Sequence, residues 1–183
     1  RPLQKTVLTA LSTALVAGGA FIAFPIPISP VPIVLQNFFI LLMALVLGGR
    51  IGAASVALYL LLGAFGLPIF AGGKGGFAHF FGPTGGYLLG FLLAATVTGF
   101  LSHALPLRNR LIRDGISAFA GALCIYLLGV PWLAYRLGTP IPKAVLLGVV
   151  PFLPGDVLKT IAAVLLAPKV RSLLQKEFFS YGT

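Results

Sequence analysis

Long apolar runs, cut where proline, glycine and charge cluster, dominate this chain. Most of them reach the roughly 20 residues that a helix needs to cross a bilayer core, although the second and third are shorter. The pattern predicts six membrane-spanning helices at residues 6–24, 34–47, 51–67, 85–105, 115–135 and 144–167. We therefore expect one all-α transmembrane domain that occupies residues 1–183.

The lysine and arginine residues fall mostly on one side of this six-helix arrangement. That side would hold Arg1, Lys5, Arg50, Arg108, Arg110, Arg113, Lys169, Arg171 and Lys176, against Lys74, Arg136 and Lys143 on the other. Cytoplasmic loops carry the excess of positive residues, so both termini are expected to be cytoplasmic. The opposite face would then carry the connections 25–32, 68–83 and 131–143.

Composition supports a membrane protein of the cell membrane rather than a soluble domain. Hydrophobic residues make up 58% of the chain and charged residues 9%, against about a quarter charged in soluble domains. The net charge of +10 could indicate nucleic acid, but the basic residues form no stripe with interleaved aromatics, so we expect no nucleic-acid partner. The single Cys124 excludes a disulfide framework and a paired-thiol redox site.

The first apolar run could also be a secretory signal peptide, because Arg1 and Lys5 precede it. We favour a membrane helix, since the following residues are equally hydrophobic and no A-x-A site precedes a polar domain. Because the sequence starts with Arg1 rather than Met, a few preceding residues are expected.

A charge pair, Asp156 and Lys159, lies inside the last apolar segment. An ionisable group at mid-bilayer costs roughly 2.5 to 3.5 kcal/mol, and such a residue commonly marks a ligand pathway. Pro151, Pro154 and Gly155 are predicted to interrupt the helix just before the pair, and transporter sites are often built on interrupted helices. The alternative is a plain intrahelical ion pair at spacing i, i+3.

Two of the predicted outer connections have an unusual composition. The segment PIPISPVP favours an extended, polyproline-like strap, which could act as a lid over a cavity or as a surface linker. The next connection carries eight glycines from Gly66 to Gly86, which let the backbone approach a ligand closely. Thr84 and Tyr87 add hydroxyl groups where the fourth span begins.

Catalytic and cofactor motifs are missing from the sequence. A phosphate-binding loop requires G-x-x-x-x-G-K-[ST], but Lys74 is followed by Gly75 and Pro68 occupies the first glycine position. His79 and His103 have no partner at metal-ligand spacing, so no metal or other cofactor is expected. With no nucleophile or metal set near Asp156, an enzyme is not expected. A proton-coupled carrier using Asp156 as its relay stays an alternative, although such carriers usually show two similar halves.

The first span places Ala10, Ala14 and Gly18 on one helical face. This small-xxx-small pattern allows close approach of two membrane helices. The second helix could belong to a partner protein or to the same chain.

Four segments, PVPIVLQ, GLPIFAGGKGG, GPTGGYLLGF and PGDVLK, occur in this order across most of the chain. Together they resemble the biotin-specific substrate-binding subunits (BioY type) of energy-coupling-factor transporters, over roughly residues 6 to 170. The resemblance implies a six-helix protein that binds biotin and associates with a transmembrane coupling subunit and two cytoplasmic ATPases. It also implies that Ala10 and Ala14 meet the coupling subunit, and that the vitamin site contains Thr84, Gly85, Gly86, Tyr87, Asp156 and Lys159.

The chemistry of biotin agrees with these residue types. Asp156 can accept hydrogen bonds from the ureido N–H groups, and Lys159 can neutralise either the valerate carboxylate or Asp156 itself. Tyr87 and the aromatic residues Phe77, Phe80 and Phe81 can wall the apolar rings. A subunit of the same class for thiamine or riboflavin is the nearest alternative.

Overall fold

The computed structural model describes residues 2–176 and is mostly helical in that range. Its α-helices are α1 Pro2–Phe21, α2 Gln36–Leu47, α3 Gly49–Ala64, α4 Gly85–Ala104, α5 Arg110–Leu137, α6 Ile141–Gly148 and α7 Leu153–Leu174. Two short strands, β1 Ala23–Ile26 and β2 Ser29–Val34, and a 3₁₀ helix at Phe77–Phe81 lie in the connections.

Two of these helices, α4 and α5, are each long and apolar enough to cross a membrane. Helices α6 and α7 are bent by 59° at a short break and would together form a third span. Helices α2 and α3 are apolar but shorter, as the sequence pattern predicts. The predicted interruption of the last span before Asp156 is therefore confirmed.

The connection after α1 differs from the expected unpaired strap. Strands β1 and β2 pair as an antiparallel hairpin, with Ala23 opposite Val34 and Phe24 opposite Ile33. The extended backbone that alternating prolines favour is present, but the residues between the prolines still have N–H groups, which pair across the hairpin. The all-α expectation did not include this element.

Helix α5 continues beyond the point where a connection was predicted. Pro131 lies inside α5, which ends at Leu137. A proline removes only one helix hydrogen bond, and packing in a helical bundle tolerates that loss. The helix stops at Gly138, whose left-handed backbone (φ 61°) places its N–H on the carbonyl groups of the last turn.

Helices α4 and α5 approach closely through small residues. A Cβ atom on Gly90 would lie 2.9 Å from the backbone of Ile125, and one on Gly121 would lie 1.8 Å from Oγ1 of Thr98. Small residues at such contacts allow the close packing on which membrane helix association depends. Helix α2 packs against α1, α3, α4, α5 and α7, so it lies at the centre of the bundle.

The glycine-rich connection between α3 and α4 folds around a buried aromatic side chain. Phe70 is fully buried and meets the ring of Tyr59 edge to face, with centroids 5.5 Å apart. The backbones of Phe70 and Lys74 form hydrogen bonds in both directions, because Gly72 and Gly73 adopt positive φ values of 77° and 70°. This turn positions Lys74 and the following 3₁₀ helix beside the bundle.

Candidate functional site

The break between α6 and α7 positions Asp156 in the first turn of α7. Its backbone N–H donates to the carbonyl of Phe152 (2.8 Å), so the residue belongs to the restarted helix. Lys159 follows one turn later on the same face. The side chains of Asp156 and Lys159 are 15% and 13% exposed, so both are largely but not completely removed from solvent.

Four side chains from three helices form one polar cluster, which we call the Asp156 cluster: Asp156, Lys159, Asn37 and Tyr126. The Oδ1 atom of Asp156 accepts from Nζ of Lys159 (2.7 Å) and from Nδ2 of Asn37 (2.8 Å). Its Oδ2 atom accepts from the hydroxyl of Tyr126. The carboxylate therefore joins α7 to both α2 and α5.

Lys159 has an acceptor for each of its three N–H donors. In addition to Asp156, it donates to the carbonyl of Val34 (2.8 Å) and to Oδ1 of Asn37 (3.1 Å). The intrahelical ion pair considered for the sequence is thus present, but it is only one of several contacts. The bond from Lys159 to the carbonyl of Val34 also connects the cluster to the last residue of β2.

Two cavities that share strand β2 as a wall lie beside this cluster, and a third, of about 530 Å³, lies between α5 and α7 beside Asp156 and Tyr126. The inner one, about 40 Å³, is bounded by all four cluster residues, and the outer one, about 200 Å³, is bounded by the glycine-rich connection. The residues that line both are Val31, Pro32, Val34, Tyr87 and Phe91. Strand β2 therefore forms a wall of each cavity, so the segment predicted as either lid or linker lies over a cavity.

Thr84 and Tyr87 are both brought to these cavities. Thr84 lines the outer cavity, and its Oγ1 lies 3.3 Å from Nε2 of His79. Tyr87 borders both cavities, and its hydroxyl donates to the carbonyl of Gly148 (3.0 Å) at the end of α6. That bond fixes the ring between the cavities.

Gly85 and Gly86 differ from the expectation, because the structure gives them packing positions away from the cavity walls. A Cβ atom would lie 1.8 Å from the carbonyl oxygen of Phe80 at Gly85, and 2.4 Å from Cβ of Trp132 at Gly86. Any side chain at either position would force these elements apart. The two glycines allow the start of α4 to pack against its neighbours.

The aromatic wall also differs from the expected one. Phe77 and Phe81 are 66% and 52% exposed, and Phe80 packs edge to face on Phe70. Tyr87 lines both cavities as expected, and the other aromatic rings at the cavity walls are those of Phe91, Tyr126 and Phe152. They come from α4, α5 and the α6–α7 break. Unlike Phe77 and Phe81 they are buried or half-buried, which their spacing in the sequence does not reveal.

Sequence reasoning missed three polar residues of the site. Asn37 and Tyr126 bind Asp156 directly, and Gln36 lines the outer cavity. Gln36 is only 1% exposed, and its side chain interacts with the hydroxyl of Tyr59, although its Nε2 makes no hydrogen bond of ordinary geometry within residues 2–176. Two adjacent amides inside an apolar span were a usable signal for Gln36 and Asn37, because buried amides require partners. Tyr126 carried no comparable signal.

His79, on the wall of the outer cavity, has a pKa that its surroundings lower. Burial, and secondarily the charge of Lys74, lower its pKa below the ordinary value of 6.5. The neutral imidazole is therefore favoured beside Thr84.

The small residues of α1 face outward. Ala10 and Ala14 are exposed, and a Cβ atom on Gly18 would meet nothing within 4 Å among the described residues. The opposite face of α1 packs inside, where Oγ1 of Thr13 donates to the carbonyl of Ser55 (3.0 Å). The alternative that this stripe packs within the same chain does not fit residues 2–176.

Comparison with known proteins gives a consistent result. A family model described as the BioY family matches residues 1–176. A probable biotin transporter BioY of Pyrococcus horikoshii is 42% identical over 168 residues, covering 92% of this chain and 96% of the relative. A biotin transporter BioY of Thermotoga maritima is 42% identical over 171 residues, covering 93% and 98%.

A solved structure has the same fold. The crystal structure of the S-component for biotin from an ECF-type ABC transporter matches with a TM-score of 0.85 at 31% identity. The match covers 93% of this chain and 92% of that protein.

Proposed function

The chain belongs to the BioY family, and we propose that it binds biotin as the substrate-specific subunit of an ATP-driven energy-coupling-factor transporter. The observation that carries this proposal is the Asp156 cluster, a hydrogen-bonded carboxylate beside two cavities in a chain that matches biotin transporters along nearly its whole length. Transport rather than catalysis also agrees with the family.

We assign recognition of the ureido ring to Asp156. An ionised carboxylate has about four lone-pair positions, and the described contacts use three of them. One position is left for a ureido N–H, and a rearrangement of Asn37 or Tyr126 would provide another. The amide of Gln36, which lines the outer cavity beside Tyr59, offers a donor for the ureido carbonyl or the valerate carboxylate.

We assign Lys159 to neutralising Asp156 rather than to binding the valerate carboxylate. All three of its donors already have acceptors, and one of these is the Asp156 carboxylate. Thr84 and Tyr87 belong to the proposed site because they line the cavities, whereas Gly85 and Gly86 would act by letting α4 pack closely.

Biotin binding in the two cavities bounded by β2 would require this strand to move. Ligand cavities usually measure roughly 300–1,000 Å³, and the two cavities here, about 40 and 200 Å³, are separated by a wall to which β2 contributes. A shift of the hairpin would join them. We therefore propose that the hairpin acts as a lid.

The remaining parts of the proposal concern the membrane and the partners. We propose one domain with six spans, formed by α1 to α5 and by the bent pair α6 and α7, with both termini cytoplasmic in the cell membrane. The bias of lysine and arginine supports this orientation. The exposed face of Ala10 and Ala14 is proposed to meet the transmembrane coupling subunit, which in turn contacts two ATPases.

Calorimetry on the detergent-solubilised protein tests the ligand. We expect saturable binding of biotin and weaker binding of desthiobiotin, which lacks the thiophane ring. Binding of thiamine or riboflavin without binding of biotin would contradict the assignment. Uptake that follows the proton gradient rather than ATP would instead support a secondary carrier.

Docking is tested separately with Ala14→Trp and Ala10→Arg, beside Leu127→Trp on the exposed face of α5 as a control. The α1 variants should lose co-purification with the coupling subunit while keeping biotin affinity, and the control should keep both. Docking retained by both α1 variants would place the contact surface elsewhere.

A further inference from the structure

A second polar cavity lies at the end of the bundle opposite the hairpin. It measures about 340 Å³ and is bounded by the second turn of α1, the first turns of α3 and α5 and the ends of α2, α4 and α7. Three arginines line it, namely Arg110, Arg113 and Arg171. The proposed biotin function makes no use of these groups.

One carboxylate in this region is already fully engaged. Asp114 has a side-chain exposure of 0%, and its two oxygens accept from Nη1 (2.6 Å) and Nη2 (3.1 Å) of Arg171. Arg171 also donates to the carbonyl of Leu45 at 2.6 and 3.2 Å. Asp114 therefore neutralises the guanidinium group of Arg171. The positive charges of Arg110 and Arg113 have no hydrogen-bonded carboxylate among the described residues.

The side chain of Arg113 has an N–H donor, at Nε, without a hydrogen-bond acceptor among the described residues. Its Nε atom is 4.0 Å from Oδ1 of Asp114, too far for a hydrogen bond. The same atom is buried. A buried donor without a partner is costly, and the Arg113 side chain, which is 20% exposed and lines the cavity, offers its other guanidinium N–H groups to a ligand. Arg110, which is exposed at the start of α5, adds a second free guanidinium group to the same cavity.

We propose that this cavity binds a phosphate group, held by Arg113 and Arg110. Guanidinium groups bind phosphate oxygens with paired, charge-assisted hydrogen bonds. The other walls are formed mostly by apolar side chains, namely Leu8, Val46, Leu47, Ile51 and Leu174, together with the polar side chains of His103 and Gln175. A phosphate carried on an apolar body, such as the headgroup of an anionic phospholipid, matches both parts of the cavity, and free phosphate would satisfy the arginines alone.

The test compares variants of the full chain that remove one positive charge each. Arg113→Gln and Arg110→Gln alter the cavity, while Arg136→Gln removes an exposed arginine at the other end of the bundle. All are made with and without Glu177→Gln, because Glu177 lies outside the described residues and is the remaining carboxylate of the chain. Biotin binding, measured in parallel, reports that each variant is folded.

Native mass spectrometry in mixed phosphatidylglycerol and phosphatidylcholine provides the lipid readout. We expect selective retention of phosphatidylglycerol, reduced about tenfold by Arg113→Gln and less by Arg110→Gln, and unchanged by Arg136→Gln or Glu177→Gln. A second arm measures thermal stabilisation by inorganic phosphate against chloride at equal ionic strength. An Arg113-dependent effect in the lipid arm identifies a headgroup, and one in the phosphate arm alone identifies free phosphate. The proposal is wrong if neither arm depends on Arg113, or if Arg136→Gln has the same effect.

Discussion

Asp156 and Asp114 are the two acidic side chains of residues 2–176, and both link helices of the bundle. Asp156 of α7 binds residues of α2 and α5, and Asp114 of α5 binds Arg171 of α7, which itself also binds α2. Asp156 lies near the hairpin, with a side chain that is 15% exposed and lines an internal cavity. Asp114 lies at the opposite end, with an exposure of 0% and both oxygens bound by one arginine. A carboxylate paired with a basic side chain therefore occurs once beside a cavity and once in a fully buried position.

The difference indicates what would distinguish a ligand-binding carboxylate, the role proposed for Asp156, from a structural one. Asp156 shares its oxygens among three separate donors, so a ligand can replace one of them at limited cost. Asp114 is held by a single planar guanidinium group in a two-bond contact, and losing it would leave a buried charge without a partner. A charged residue in an apolar segment is therefore ambiguous until its partners are known.

Removing the buried carboxylate of Asp114 should have the largest effect, and that effect should be on stability. Asp114→Ala leaves the Arg171 guanidinium buried without its counter-ion, so we expect a loss of about 3–5 kcal/mol in the free energy of unfolding. Denaturant titration of the detergent-solubilised protein measures this loss. The double variant Asp114→Ala/Arg171→Met should recover much of it, and an unchanged stability of the single variant would contradict the structural role.

Changing the binding carboxylate should affect affinity rather than folding. Asp156→Asn keeps the shape of the side chain but puts N–H donors where the ureido donors are expected, so biotin binding should weaken by at least about 1.5 kcal/mol. Calorimetry gives the affinity, and the unfolding midpoint serves as the control. Undiminished affinity would return Asp156 to a purely structural role.

A smaller effect is expected from the hydroxyl that positions this carboxylate. Tyr126→Phe removes the donor to Oδ2 of Asp156 and should weaken biotin binding by about 1 kcal/mol. Tyr135→Phe on the same helix is the matched control, because Tyr135 is 75% exposed. Equal affinities for the two variants would show that Tyr126 does not position Asp156 for the ligand.

The smallest effect concerns pH at the outer cavity. Because the pKa of His79 is lower in the folded protein than its ordinary 6.5, the unfolded chain binds the proton more readily. The contribution of His79 is thus fully present above pH 6.5 and is lost as the pH falls through the folded pKa. Unfolding midpoints between pH 5 and 7.5 should show this slope, and His79→Gln should flatten it. An identical slope in the variant would assign the pH dependence to another group.

The sequence predicted helix positions well where the apolar runs were long. The span predicted at 85–105 is α4 at Gly85–Ala104, and the break before Asp156 appears between α6 and α7. The predicted helix ends were wrong where they relied on a local sequence signal that tertiary packing overrides. Pro131 was taken to start a connection, yet α5 continues to Leu137, because neighbouring helices support a helical segment that proline alone would disfavour.

The sequence alone determined the class of the protein and the two charged residues of its candidate site, because burying charge among apolar residues is too costly to occur without a reason. It could not determine which donors meet Asp156. Asn37 lies 119 positions from Asp156 and Tyr126 lies 30 positions away, and only the packing of α2 and α5 against α7 brings them together. Helix periodicity reports which face of a helix is apolar, whereas partners across a bundle depend on which helices become neighbours. The roles of Gly85 and Gly86, of Gln36 and of the pair Asp114 and Arg171 were likewise decided by the tertiary structure, since each depends on close approach between segments far apart in the chain.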